Sequence, residues 1–283
     1  MASRSSPRPP PRLPPRLPPR PSARLIERAI GALRPMRALA APHVQGIENI
    51  PESRPLLFVG NHSIFGVLDP PLLFAELYER KGIVLRSLGD HLHFQIPGWR
   101  DLLFACGAVD GTPEACGALM AARECVLVFP GGGREVAKRK GEEYALLWKE
   151  RLGFVRLAAT HGCTIVPFAC VGVEDAFEVV LDADEVLASP LAAPLARAID
   201  RLGVRRDVLM PLARPRRPQR IYFGFSEAIP TEGTPPDDDA ALRALRDGVR
   251  AAVTDQIASL RAFQATDPRR SLVARLAEAL ARG

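Results

Sequence analysis

Short apolar runs alternate with amphipathic stretches along most of the chain. The runs 55–60 (PLLFVG), 82–88 (GIVLRSL), 125–129 (CVLVF), 164–171 (TIVPFACV) and 220–225 (RIYFGF) read as buried strands, and helical periodicity occupies 70–80, 113–123 and 149–161 between them. This alternation predicts an α/β fold with a largely parallel central sheet flanked by helices and joined by right-handed crossovers. In such sheets ligands bind beyond the carboxyl ends of the strands. Two strand ends carry unusual chemistry: PLLFVG runs into NHSIFGVLD, and CVLVF runs into PGGGRE.

The flanks follow other patterns. Residues 23–40 place Leu25, Ile26, Ile30 and Leu33 near one helical face and Arg24, Arg28 and Arg34 largely elsewhere, with Pro35 set to kink or end the helix. Such a helix either packs on the domain or lies in the headgroup region of a membrane. No run reaches 18 consecutive apolar residues, so the membrane contact expected is peripheral or monotopic. Residues 176–218, rich in Pro and Arg, interrupt the rhythm as a surface excursion or as a lid over an acyl chain. Residues 237–281 predict two C-terminal helices split at Asp267-Pro268.

Composition narrows the picture. A chain of 283 residues, 47% hydrophobic, buries the core of one α/β domain, here expected over 23–283 with its catalytic core at 45–230. The net charge of +6 misleads, because residues 1–22 hold five arginines, no acid and nine prolines. They predict a disordered basic arm able to meet anionic lipid headgroups, and they leave the folded part close to neutral. A nucleic-acid partner is therefore not expected, since it needs basic side chains spread over a folded face. The five cysteines lie in apolar stretches without metal-type pairing, which predicts reduced, buried thiols and a cytosolic compartment.

The chemistry concentrates at the two strand ends. His62 is a base near neutral pH, and Gly131, Gly132 and Gly133 leave a bare backbone able to approach an anion beside the Arg134 guanidinium. A base that deprotonates a hydroxyl, next to donors for the oxyanion formed on a carbonyl, is an arrangement for acyl transfer. No Gly-x-Ser-x-Gly elbow supports an acyl-serine route. Asp69 has two readings: it orients His62, or it caps the helix that starts at Pro70-Pro71. On an unbroken helix His62 and Asp69 would lie about 10 Å apart in rise, so pairing them requires a bend, for which Gly66 is suited. Arg134 is either a substrate ligand or the partner of Glu135 or Glu143. His91 and His93 lack a carboxylate or Cys at ligand spacing and make no metal site.

In order, NHSIFGVLDPPLL, FPGGGRE and TIVPF resemble the motifs of the PlsC-like glycerolipid acyltransferase superfamily: Asn-His-four residues-Asp, Phe-Pro-Glu-Gly-Thr-Arg and a Val-Pro strand. The resemblance covers residues 45–230 and is nearest the branch of diacylglycerol acyltransferase-like proteins, transmembrane protein 68 and phytyl ester synthases. Two departures stand out: six residues separate His62 from Asp69, and three glycines replace Glu-Gly-Thr, which removes a carboxylate. The resemblance implies His62 as general base and Asp69 as its partner, with Asn61, Gly131, Gly132, Gly133, Arg134 and Glu135 as substrate contacts. It implies an O-acyltransferase at the cytoplasmic face of a membrane, with no cofactor beyond acyl-CoA or acyl carrier protein as co-substrate. The acceptor expected is a lipid hydroxyl, diacylglycerol or a long-chain alcohol ahead of lysophosphatidic acid. A lipid-binding protein without activity is the rival.

Overall fold

The computed structural model describes residues 17–189 and 205–282. Its strands are β1 (His43–Gln45), β2 (Leu56–Gly60), β3 (Leu85–Gly89), β4 (Val109–Asp110), β5 (Cys125–Val128), β6 (Thr164–Val171), β7 (Phe177–Leu181), β8 (Leu212–Pro215) and β9 (Tyr222–Phe225). The helices that matter below are α1 (Ala23–Ala32), α2 (Arg34–Ala40), α3 (Asp69–Lys81), α4 (Trp99–Ala105), α5 (Pro113–Ala121), α6 (Gly133–Val136), α7 (Gly153–Thr160), α8 (Ala183–Ala188), α9 (Asp239–Thr266) and α10 (Leu272–Arg282).

Seven strands form one sheet in the order β1-β9-β6-β2-β5-β3-β4. All neighbours are parallel except β6 and β9. Alternate residues of the central strands feed two cores, as the two-residue period of a strand requires. Leu57, Val59, Val126 and Ile165 pack with α5, α7 and α9, while Leu56, Phe58, Leu127 and Val166 pack with α3. Covering both faces explains why these strands read as continuous apolar runs. In register, Val59 lies opposite Val128 and Gly60 opposite Phe168. The two loops that leave β2 and β5 therefore emerge side by side at the carboxyl edge.

The expected break at Pro35 is present, and other expectations change. Pro35 ends α1 and sits in the first turn of α2, where its missing N–H costs nothing. The stretch 43–45, which belongs to none of the predicted elements, is an edge strand on β9. Within 176–218 the structure has a two-stranded antiparallel sheet of β7 and β8, and α8; residues 190–204 of that insertion, like residues 1–16 of the arm, lie outside the described residues. The arm is not free from residue 17 onward. Arg20 Nε is 2.7 Å from Glu124 Oε1, and the buried Arg86 donates through Nη2 to the Pro18 carbonyl at 2.6 Å. Proline-rich backbone has carbonyls that its own segment cannot satisfy, and Arg86 meets one of them.

Four cysteines are buried, but Cys106, at the end of α4, is exposed. An aqueous disulfide reagent is expected to modify one thiol per chain quickly and the other four only after denaturation. A time course showing several fast thiols would contradict this packing.

Candidate active site

The turn after β2 is built to present His62. Asn61 is wholly buried, and its amide bonds both backbone groups of Cys170 on β6: Nδ2 donates to the carbonyl at 2.9 Å, and Oδ1 accepts from the N–H at 2.8 Å. Asn61 was expected among the substrate contacts. A buried amide committed in both directions instead pins the end of β2 to its neighbour.

The His62 ring stacks on Phe129, centroids 3.8 Å apart and planes 10° apart. Its Nδ1 lies 3.0 Å from Asp69 Oδ2. Asp69 is buried, and Ser63 fixes the carboxylate further, donating from Oγ to Oδ1 at 2.6 Å and from its N–H to Oδ2 at 3.2 Å. Burial alone would raise the Asp69 carboxyl; the imidazole and the bonds from Ser63 outweigh it and hold the group below the usual carboxylate range. A carboxylate at Nδ1 selects the tautomer with the proton there and leaves Nε2 as the basic nitrogen.

The long spacer between His62 and Asp69 is absorbed by a single 3-10 turn, Ile64–Gly66, in which Phe65 (φ 65°) and Gly66 (φ 61°) are both left-handed. The bend expected at Gly66 thus begins one residue earlier, at a Phe, a costly conformation for a side chain with a Cβ. The Phe65 ring meets Phe177 of β7 edge-on at 5.2 Å. Asp69 opens α3 at its first helical position, with Leu68 as the N-cap residue and no side-chain cap. Of its two readings, the carboxylate serves His62 and Ser63, not the helix end.

Residue 66 lies close against the His62 ring. A Cβ on Gly66 would sit 2.8 Å from His62 Nε2 and 2.6 Å from Cε1. Gly66→Ala is therefore expected to lower kcat at least tenfold through blockage of Nε2 and strain at φ 61°, with thermal unfolding shifted by only a few degrees. Equal kcat for the two proteins would refute this steric reading.

The second loop carries Gly131–Gly133 into α6, which lies against the Ile64–Gly66 turn. Glu135 is wholly buried; Oε2 accepts from the His62 N–H at 3.1 Å and Oε1 from the Leu147 N–H at 2.9 Å. It was expected to touch substrate, but it stands behind the site with both oxygens occupied. Burial pushes this carboxyl above the usual carboxylate range, and Lys138 with the two N–H donors draws it part of the way back.

Arg134 is half committed. Its Nη2 is 2.5 Å from Glu142 Oε1 and its Nη1 donates to the Ala137 carbonyl at 3.1 Å. The partner is Glu142, not Glu135 or Glu143 as the sequence suggested. Burial would raise Glu142, yet the bonds from Arg134 and the Arg139 N–H hold it low. His91 pairs with Asp110 at 2.7 Å and His93 faces Trp99. Among the described residues no three His, Cys, Asp or Glu side chains converge as a metal ion would need.

The acyltransferase family model matches residues 41–171, a stretch that contains His62, Asp69 and the glycine loop. Phytyl ester synthase 1, chloroplastic, of Arabidopsis thaliana is 31% identical over 255 residues, which is 82% of this chain and 36% of that protein.

The chain belongs to the PlsC-like acyltransferases.

A human relative, the DGAT1/2-independent enzyme synthesizing storage lipids, is 31% identical over 134 residues, 47% of this chain and 41% of that one. The crystal structure of PlsC, the 1-acyl-sn-glycerophosphate (LPA) acyltransferase of Thermotoga maritima, superposes with a TM-score of 0.50 over 84% of this chain and 80% of that one; at 16% identity it shows the shared acyltransferase fold. The chain spans roughly two fifths or less of the length of these curated relatives. Within the acyltransferase motifs, sequence reasoning missed Ser63 and Phe129. A hydroxyl directly after the histidine was the available signal for the first, and the last apolar residue of 125–129 for the second.

Proposed function

We propose that the chain is an O-acyltransferase that moves a fatty acyl group from acyl-CoA or acyl carrier protein to a lipid hydroxyl by direct attack. The observation that carries this reading is the 3.0 Å contact between His62 Nδ1 and Asp69, with Nε2 left free beside Gly66. Nε2 takes the proton of the acceptor hydroxyl as its oxygen attacks the thioester carbonyl. Asp69 holds the ring and stabilises the imidazolium that forms. The backbone N–H groups of Gly131 and Gly133 are the proposed oxyanion donors, since the Gly132 N–H already serves the Phe129 carbonyl. Collapse of the tetrahedral intermediate expels a thiolate, a weakly basic leaving group that needs no dedicated acid.

A neutral acceptor fits better than a phosphorylated one. Arg134, the guanidinium next to the glycines, is tied to Glu142 and Ala137, which weakens it as a phosphate ligand. Relatives named for phytyl ester and storage lipid synthesis point the same way. Attachment to a membrane surface is proposed through α1, which buries none of its residues and leaves Leu25 exposed; no helix among the described residues is long and apolar enough to cross a bilayer.

The deciding assay offers palmitoyl-CoA, or palmitoyl carrier protein, with phytol, hexadecanol, diacylglycerol and lysophosphatidic acid in turn, and follows lipid products. Esters of the alcohols or of diacylglycerol are expected. Product from lysophosphatidic acid alone would overturn the neutral acceptor, and no product from any acceptor would favour a lipid-binding role.

A further inference from the structure

Resting on that catalytic reading, we propose that Glu135 is the positioning residue for His62, and that Gly131 is glycine in order to make room for it. The carboxylate that the Gly-Gly-Gly loop lacks at residue 131 is thereby supplied from four residues further on.

The geometry is specific. A Cβ at residue 131 would overlap Cγ and Cδ of Glu135 and stand 2.7 Å from Oε1. The Glu135 side chain has nowhere to retreat, because it is wholly buried and each oxygen holds a backbone N–H. One of those N–H groups belongs to His62 itself. The other belongs to Leu147, two residues from the conformationally special Lys149 (φ 53°) and next to the buried Trp148. Glu135 therefore ties the loop that bears the base to the 144–149 segment behind it. Lys138, paired with Glu174 at 2.6 Å, offsets part of the burial that pushes the Glu135 carboxyl up. With its N–H anchored by Glu135, its ring clamped between Asp69 and Phe129, and its predecessor Asn61 pinned to β6, His62 has little freedom left. Precision of that kind governs turnover more than binding, because a small misplacement of a base raises the barrier while leaving substrate contacts intact.

The test is a cycle of Gly131→Ala, Glu135→Ala and the double substitution, read in two ways. Backbone amide exchange at His62 needs no substrate, so it answers whether or not acyl transfer is the activity. Protection at His62 is expected to fall at least tenfold in Glu135→Ala and also in Gly131→Ala, whose new methyl displaces the carboxylate. In the acyl-transfer assay kcat is expected to fall at least tenfold in each single variant with KM within about twofold. The double variant should be no worse than Glu135→Ala, since the methyl then enters vacated space. Glu135→Gln, which keeps the volume and still accepts from one of the two amides, should recover part of both readouts and serves if the alanine variant does not fold. Losses that multiply in the double variant, or an undiminished His62 amide in the Glu135 variants, would overturn the proposal. A chain with no transfer activity but with the expected exchange pattern would sink the catalytic reading and leave the positioning intact.

Discussion

Replacing His62 with alanine is expected to lower kcat for acyl transfer by about 10²- to 10⁴-fold, the range a positioned general base contributes. The effect should fall on turnover. His62 meets the protein through Asp69, Phe129 and the Glu135 carboxylate, and alanine keeps the backbone N–H on which Glu135 depends. Binding of the acyl donor and of lipid should survive, because the ring is not an apolar anchor of the core. A lipid-binding module that retains the fold would show no transfer to lose, so the size of the drop separates the two classes. Comparable kcat in His62→Ala and the unmodified chain would remove the base from the account.

Asp69→Asn is expected to cost nearly as much, about 10²- to 10³-fold in kcat, for a reason of tautomers. The substitution keeps the volume, and the amide oxygen can keep the bond from Ser63 Oγ. An NH₂ group turned toward Nδ1 would favour the proton on Nε2 and silence the nitrogen that must accept one. The same carboxylate bears on stability. Its folded-state pKa is depressed, so its ionisation stabilises the fold above the unfolded value near 3.8 and that contribution fades as pH falls below it. Asp69→Asn should therefore lower stability most at neutral pH and approach the unmodified chain in strong acid, measured by denaturant unfolding at several pH values. The reading fails if kcat holds while stability alone declines, since Asp69 would then be a structural partner of Ser63.

What could be read from the sequence was governed by periodicity. The five central apolar runs became β2, β3, β5, β6 and β9 because strands covered on both faces announce themselves without any tertiary information. The edge strand His43–Gln45 and the two-residue β4 did not, since their pairing depends on a neighbour and not on their own residues. At the site, His62 and Asp69 were legible as chemistry, and the need for a bend followed from helical rise. That Phe65 joins Gly66 in the left-handed region was not, because nothing in a Phe signals it. Asn61 and Glu135 each bond two backbone groups, which their residue types do not reveal. Residue type shows that a group can bind a ligand, but only packing shows that the backbone has already taken it.

The most direct test of the central claim is rapid mixing of the protein with palmitoyl-CoA, first without and then with phytol, while free thiol is followed. Direct attack by an acceptor hydroxyl activated at His62 predicts almost no thiol until the alcohol is added, then steady release that collapses in His62→Ala. One equivalent of thiol appearing at once without acceptor, or equal release by the two proteins, would contradict it.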